Sequence, residues 1–182
     1  MECNSFILVF DGIIKELELP EYLKEICLQV RTKSTSREKI DEVLFNYNIN
    51  ASVAKVDFLQ LIIEYIRRAL EDNILTQSEK TDIQLLKKLF KIQHGDFYYH
   101  NKEQIEQIIT CQLSKIYNDN VVSKEEALLK VDLQEVFDLS FDQINDYSKI
   151  YAAVSIREGA DPISLDVFFT NNEYFKLKYP QN

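Results

Sequence analysis

The residues of this chain best suited to chemistry are acidic and recur in two matched sets. Asp72 and Glu79 form one set, Asp119 and Glu126 the other, and the second lies 47 positions after the first. Carboxylates on paired loops are hard oxygen donors of the kind that bind Ca or Mg. Asp72, Glu79, Asp119 and Glu126 are therefore the candidate ligands for a divalent cation. The spacing is not that of an EF-hand. Counted from Asp72, the third and fifth positions are Ile74 and Thr76, the sixth is not Gly, and the twelfth is Ile83.

The same residues also have a structural reading. Each set runs Asp-Asn, two apolar residues, Thr or Ser, two more residues, then Glu. Asn73 and Asn120 are of a type that tolerates the left-handed backbone closing a helix. Thr76 and Ser123 are N-cap residues, and Glu79 and Glu126, three positions on, complete a capping box at each. The apolar pairs Ile74 with Leu75 and Val121 with Val122 are expected to turn inward and anchor the loops. Capping accounts for every repeated residue; cation binding is the alternative use of the same carboxylates.

Two histidines, His94 and His100, flank Asp96 in a stretch that also holds Gly95, Phe97, Tyr98 and Tyr99. Two His and an Asp can bind zinc or exchange protons, but no fourth ligand stands close in sequence, and the expectation is a surface loop with aromatic anchors. Cys3, Cys27 and Cys111 are odd in number, far apart and outside any C-x-x-C pattern, which reads as reduced thiols in a cytoplasmic protein. The chain has no Gly-rich phosphate loop, G-x-S-x-G elbow, H-E-x-x-H helix, kinase signature or R-x-x-x-x-H pattern. No catalytic residue is assigned, and no cofactor is expected beyond the alternative cation.

A further acidic group is Asp132, Glu135, Asp138, Asp142 and Asp146. The last four recur at steps of three or four and share a face if their helices align. A solvated face is the plain reading; the sharper one makes Glu135, Asp138, Asp142 and Asp146 a docking surface for a basic protein partner. Ten tyrosines agree with a protein interface.

Helices must position these groups. The 182 residues are 46% hydrophobic with only three Gly and three Pro, too few for the tight turns of an all-β protein. One all-α domain over 1–182, a compact bundle of eight or nine helices, is expected. The net charge of -9 and pI near 4.8 argue against nucleic acid. The apolar run Phe6 to Phe10 has no basic residue before it and is broken by Asp11, so neither a signal peptide nor a spanning helix is expected.

Apolar periodicity predicts helices over 5–17, from Pro20 to about Thr32, from the Ser34 to Ser36 cluster to about Tyr47, and over 51–70, 76–93, 102–117, 123–138 and 140–158. The 51–70 segment is apolar on more than one face, as a central helix is. In the 140–158 helix Phe141, Ile144, Tyr147, Tyr151 and Val154 are expected inward, and Gly159 is placed to cap its end. Pro162 opens a short helix to Phe169, and Tyr174, Phe175, Leu177 and Tyr179 suggest an ordered tail over 171–182. Shifting the chain by 47 lays 62–92 over 109–139 with six identities in 31 positions, Ile62, Asp72, Asn73, Glu79, Leu86 and Phe90 meeting their like. Two similar helix-loop-helix hairpins are the expected result, packed against each other.

The repeated loop resembles that of the tellurite-resistance TerB-like family, whose members carry Asp-Gly-x-hydrophobic-Ser/Thr-x-x-Glu between helices. The resemblance covers 62–142 through Asp72, Thr76 and Glu79 and again through Asp119, Ser123 and Glu126, with Asn73 and Asn120 where the family has Gly. It implies a compact helical module for binding or sensing in bacterial stress and phage-defence systems, with the loop carboxylates contacting metal. The expected function is a non-catalytic, cytoplasmic protein-interaction module of such a system. An acidic inhibitor or immunity protein for a basic toxin or nuclease is the alternative, and a metal-dependent sensor a further one.

Overall fold

The computed structural model describes residues 4–167 and is all-helical. Its α-helices are α1 (Asn4–Glu16), α2 (Glu21–Val30), α3 (Arg37–Asn46), α4 (Ala51–Ala69), α5 (Gln77–Phe90), α6 (Asp96–Ile116), α7 (Lys124–Val136) and α8 (Phe141–Arg157), followed by a 3-10 turn, Pro162–Leu165. Among the described residues there is no strand, and no helix is long and apolar enough to cross a membrane. The chain divides into two compact units, 1–101 and 102–182. The expected tail over 171–182, and the end of the helix expected from Pro162 to Phe169, lie outside the described residues.

The first unit is built around α4, whose apolar residues on several faces bury Ala54, Phe58, Leu59, Leu61, Ile62, Ile63, Tyr65, Ile66 and Ala69. Each large apolar side chain removed from water in this way contributes about 1.5–3 kcal/mol. Helices α1 and α5 pack on it. Phe6 and Phe10 from α1 meet the Tyr65 ring at centroid distances of 5.5 and 6.0 Å, and Phe90 from α5 stacks on Phe58 at 4.1 Å. Gly12 of α1 leaves room for the Arg68 guanidinium: a Cβ there would lie 2.7 Å from Nη1 of Arg68. The guanidinium so placed pairs with Glu16 of α1 at 2.8 Å and Glu64 of α4 at 3.0 Å.

A buried carboxylate ties this core together. Asp82 of α5 is 2% exposed; it accepts hydrogen bonds from the Tyr65 hydroxyl at 3.1 Å and from the Lys33 ammonium. Lys33 occupies a left-handed turn (φ 56°) after α2, and its Nζ lies 4.5 Å from the Phe6 ring centroid. The turn, α4 and α5 are thereby joined through one charge, and burial together with Asp82 pushes the Tyr65 hydroxyl pKa well up.

In the second unit α7 and α8 form a hairpin against which the 3-10 turn folds. Its core includes Ile105, Ile109, Leu113, Leu133, Phe137, Ile144 and Leu165. The inward face of α8 differs from expectation. Ile144, Ser148, Ala152 and Ser155 are buried, whereas Phe141 is 53% and Val154 49% exposed. Positions 144, 148, 152 and 155 recur at helical spacing, and the small side chains of Ser148, Ala152 and Ser155 allow close packing. Leu128, apolar and in register on α7, is likewise 56% exposed.

Helix α6 begins six residues earlier than its periodicity suggests and has non-helical backbone at Asn101 (φ -132°, ψ 28°). The stretch from Phe97 to His100, expected as loop, is a helical turn. Asp96 starts it by accepting the Gln93 N–H at 2.8 Å, and the Tyr99 N–H reaches the Gly95 carbonyl at 2.9 Å.

Candidate functional site

The two acidic loops adopt one geometry. Asn73 (φ 63°) and Asn120 (φ 65°) are left-handed. Asp72 Oδ1 accepts the Ile74 N–H at 3.0 Å and Asp119 Oδ1 the Val121 N–H at 3.1 Å. Thr76 caps α5 and Ser123 caps α7, each in a complete capping box. Glu79 Oε2 accepts the Thr76 N–H at 2.8 Å, and Glu126 Oε2 accepts the Ser123 N–H at the same distance. All four candidate ligands are thus engaged in loop hydrogen bonds. Among the described residues, no group of three or more His, Cys, Asp or Glu side chains is arranged to hold a metal ion.

The apolar pairs depart from expectation. Leu75 is buried at 5% exposure, but Ile74 is 58% and Val121 51% exposed. The first residue of each pair gives its N–H to the preceding Asp side chain, and this turn faces its side chain to solvent. Val122 is half-buried, and its N–H reaches the Ser164 carbonyl at 2.8 Å. The likeness extends to the far ends of the hairpins. Lys91 and Asp138, also 47 apart, are both left-handed (φ 54° and 55°), and the following N–H groups of Ile92 and Leu139 close on Lys87 and Gln134, each at 2.9 Å. The hairpins fall one in each unit.

His94 and His100 are both exposed. Asp96 between them is committed to Lys55, whose Nζ lies 2.8 Å from Oδ2. Burial raises the Asp96 pKa, but the Lys55 and Gln93 hydrogen bonds outweigh it and hold the carboxyl below its ordinary range. His100 packs edge-on against Tyr99, with ring centroids 4.8 Å apart. Cys27 is buried and its thiol pKa is pushed up to about 12 by desolvation, while Cys111 is an exposed free thiol.

The acidic series on 132–146 is not one helical face. Asp132 is buried at 4% exposure. Glu135 is on α7, Asp138 in the left-handed turn, and Asp142 and Asp146 on α8; Glu135, Asp142 and Asp146 are exposed. Asp146 pairs with Lys149 at 3.3 Å. The hairpin also exposes large apolar side chains, Leu128 and Val131 at 56% each and Phe141 at 53%. Between its helices runs a mainly apolar cleft of about 70 Å³, lined by residues that include Ala127, Val131, Gln134, Phe141, Ile144 and Asn145. Lys130 and Asp166 also line it; Lys130, only 7% exposed, bonds to the Asp166 carboxylate at 2.9 Å and to the Tyr117 hydroxyl at 3.3 Å.

Sequence reasoning found the carboxylates of this hairpin but missed the apolar part, because Leu128 and Phe141 keep helical register and so look like core. Another cleft, about 490 Å³, lies between α2 and α3 and is lined by residues that include Glu25, Gln29, Thr32, Lys39 and Asn46, a polar and mixed-charge set. Comparisons with protein-family models, curated proteins and solved structures gave no match to this chain.

Proposed function

We propose that the chain is a non-catalytic protein-interaction module whose contact surface is the outer side of the α7–α8 hairpin. The observation that carries the reading is the exposure of Leu128, Val131 and Phe141 on the hairpin that also presents Glu135, Asp142 and Asp146. Large apolar side chains left in water beside charged ones have the composition of a surface completed by a partner. The partner is a basic protein, since acidic residues outnumber basic ones thirteen to six over 102–167.

The proposed setting is the cytoplasm, in a bacterial stress or phage-defence system of the kind the TerB-like resemblance implies. An acidic inhibitor that neutralises a basic toxin or nuclease is the second reading, favoured by the concentration of negative charge in 102–167. A cation sensor has less support, since the carboxylates it would use already satisfy backbone N–H groups.

The test is capture of partners by the tagged chain from its native cells, with mass spectrometry of what stays bound. One dominant, stoichiometric, basic partner is expected. Whether the bound partner loses an enzymatic activity separates an inhibitor from a scaffold. No such partner under any of several growth and stress conditions would contradict the interaction reading.

A further inference from the structure

The cleft between α7 and α8 defines what kind of segment fits this surface. Its volume, about 70 Å³, suits one apolar side chain and falls far short of the several hundred Å³ that drug-sized ligands occupy. Ala127, Val131 and Gln134 line it from α7, and Phe141, Ile144 and Asn145 from α8. Val131 and Phe141 remain more than half exposed at its mouth.

The helical positions next to these lining residues carry a second pattern. On α7, Leu128 and Glu135 fall one position beyond Ala127 and Gln134; on α8, Asp142 and Asp146 fall one position beyond Phe141 and Asn145. One helical step of about 100° turns them from the cleft to its outer flanks. An apolar slot thus runs between carboxylates on both sides, with Asp138 at the turn that closes one end. Lys130 and Asp166 also line the cleft, but they are paired with each other at 2.9 Å, and Lys130 is held by the Tyr117 hydroxyl as well.

We infer that the cleft receives a basic amphipathic helix of the partner protein, which seats one apolar side chain between Val131 and Phe141 and sets Lys or Arg against Glu135, Asp142 and Asp146. This rests on the interaction reading above and names its occupant. Helix-in-groove recognition uses such spaced apolar anchors. Flanking charge of opposite sign orients the segment and speeds its association.

The experiment measures binding of two fluorescent synthetic helical peptides to the full chain by anisotropy. One has Leu along one face and Lys along the other; the second replaces every Lys by Glu. The Lys peptide is expected to bind and the Glu peptide not. Phe141→Gln and Val131→Gln change exposed side chains, so the fold is kept; each should weaken binding by about tenfold. Glu135→Gln with Asp142→Asn should weaken it about threefold and flatten its dependence on salt between about 50 and 300 mM. Glu18→Gln with Glu71→Gln removes two exposed charges from the first unit and should leave binding unchanged.

Equal weakening by the two charge-matched pairs would mean attraction by net charge alone and would overturn the proposal. Binding that appears only in a chain ending at Val167 would assign the cleft to residues 168–182. A dimer dispersed by Phe141→Gln would assign it to a second copy. Each of these outcomes overturns the inferred occupant. A native partner captured equally well by Phe141→Gln would leave the interaction reading standing and remove the cleft from it.

Discussion

At the scale of single residues, the side chains that look most reactive are the ones that hold the backbone. Thr76 and Ser123 satisfy N–H groups at the starts of α5 and α7 that have no partner within their own helices. Thr76→Ala and Ser123→Ala should each lower stability by about 1 kcal/mol in urea denaturation. Asn73→Gly should be close to neutral and Asn73→Ala destabilising, because φ 63° is tolerated by Gly and by Asn, whose short polar side chain can bond locally, but strains Ala. Added Ca or Mg should leave the melting temperature unchanged. A rise abolished by Asp72→Ala with Asp119→Ala would instead restore the cation reading, since a ligand held only by the folded state stabilises it. Asp96 gives a dependence on pH. Its folded pKa is depressed, so its contribution is present above the unfolded value of about 3.9 and lost as pH falls through the folded one. Lys55→Met should therefore cost stability at neutral pH by an amount that shrinks below about pH 4. A constant difference across pH would leave Lys55 only the packing of its aliphatic stem.

At the scale of elements, the helices were legible because apolar spacing and caps are local. The predicted helix over 76–93 and the observed Gln77–Phe90 differ only at the ends, where frayed turns always blur the pattern. The face of α8 was not legible. Periodicity marked the large residues Phe141 and Val154 as core, but helix packing selected Ser148, Ala152 and Ser155, whose small size carries no hydropathy signal. Ala152 is fully buried, so Ala152→Leu should destabilise by about 1–3 kcal/mol through overpacking, while Val154→Ala, at an exposed position, should cost under about 0.5. The loop carboxylates were found from the repeat, and their capping role was readable because both partners of a capping box lie three residues apart. The apolar half of the hairpin surface was hidden for the opposite reason: exposure is set by which helices pack, and the sequence does not state that locally.

At the scale of the whole molecule, the chain divides into two compact units, and α6 loses helical geometry at Asn101, where they divide. A cut at this point leaves the first unit a core of its own in α1 to α5. The fragment 1–101 should therefore fold alone and unfold cooperatively in denaturant; a fragment without a cooperative transition would contradict that independence. The central claim is that partner recognition resides on the α7–α8 hairpin. Its most direct test is amide hydrogen exchange of the full chain, free and bound to the partner captured from native cells. The account predicts slowed exchange confined to the hairpin, around 124–146. Protection confined to the first unit, at the α2–α3 cleft or elsewhere, would contradict it.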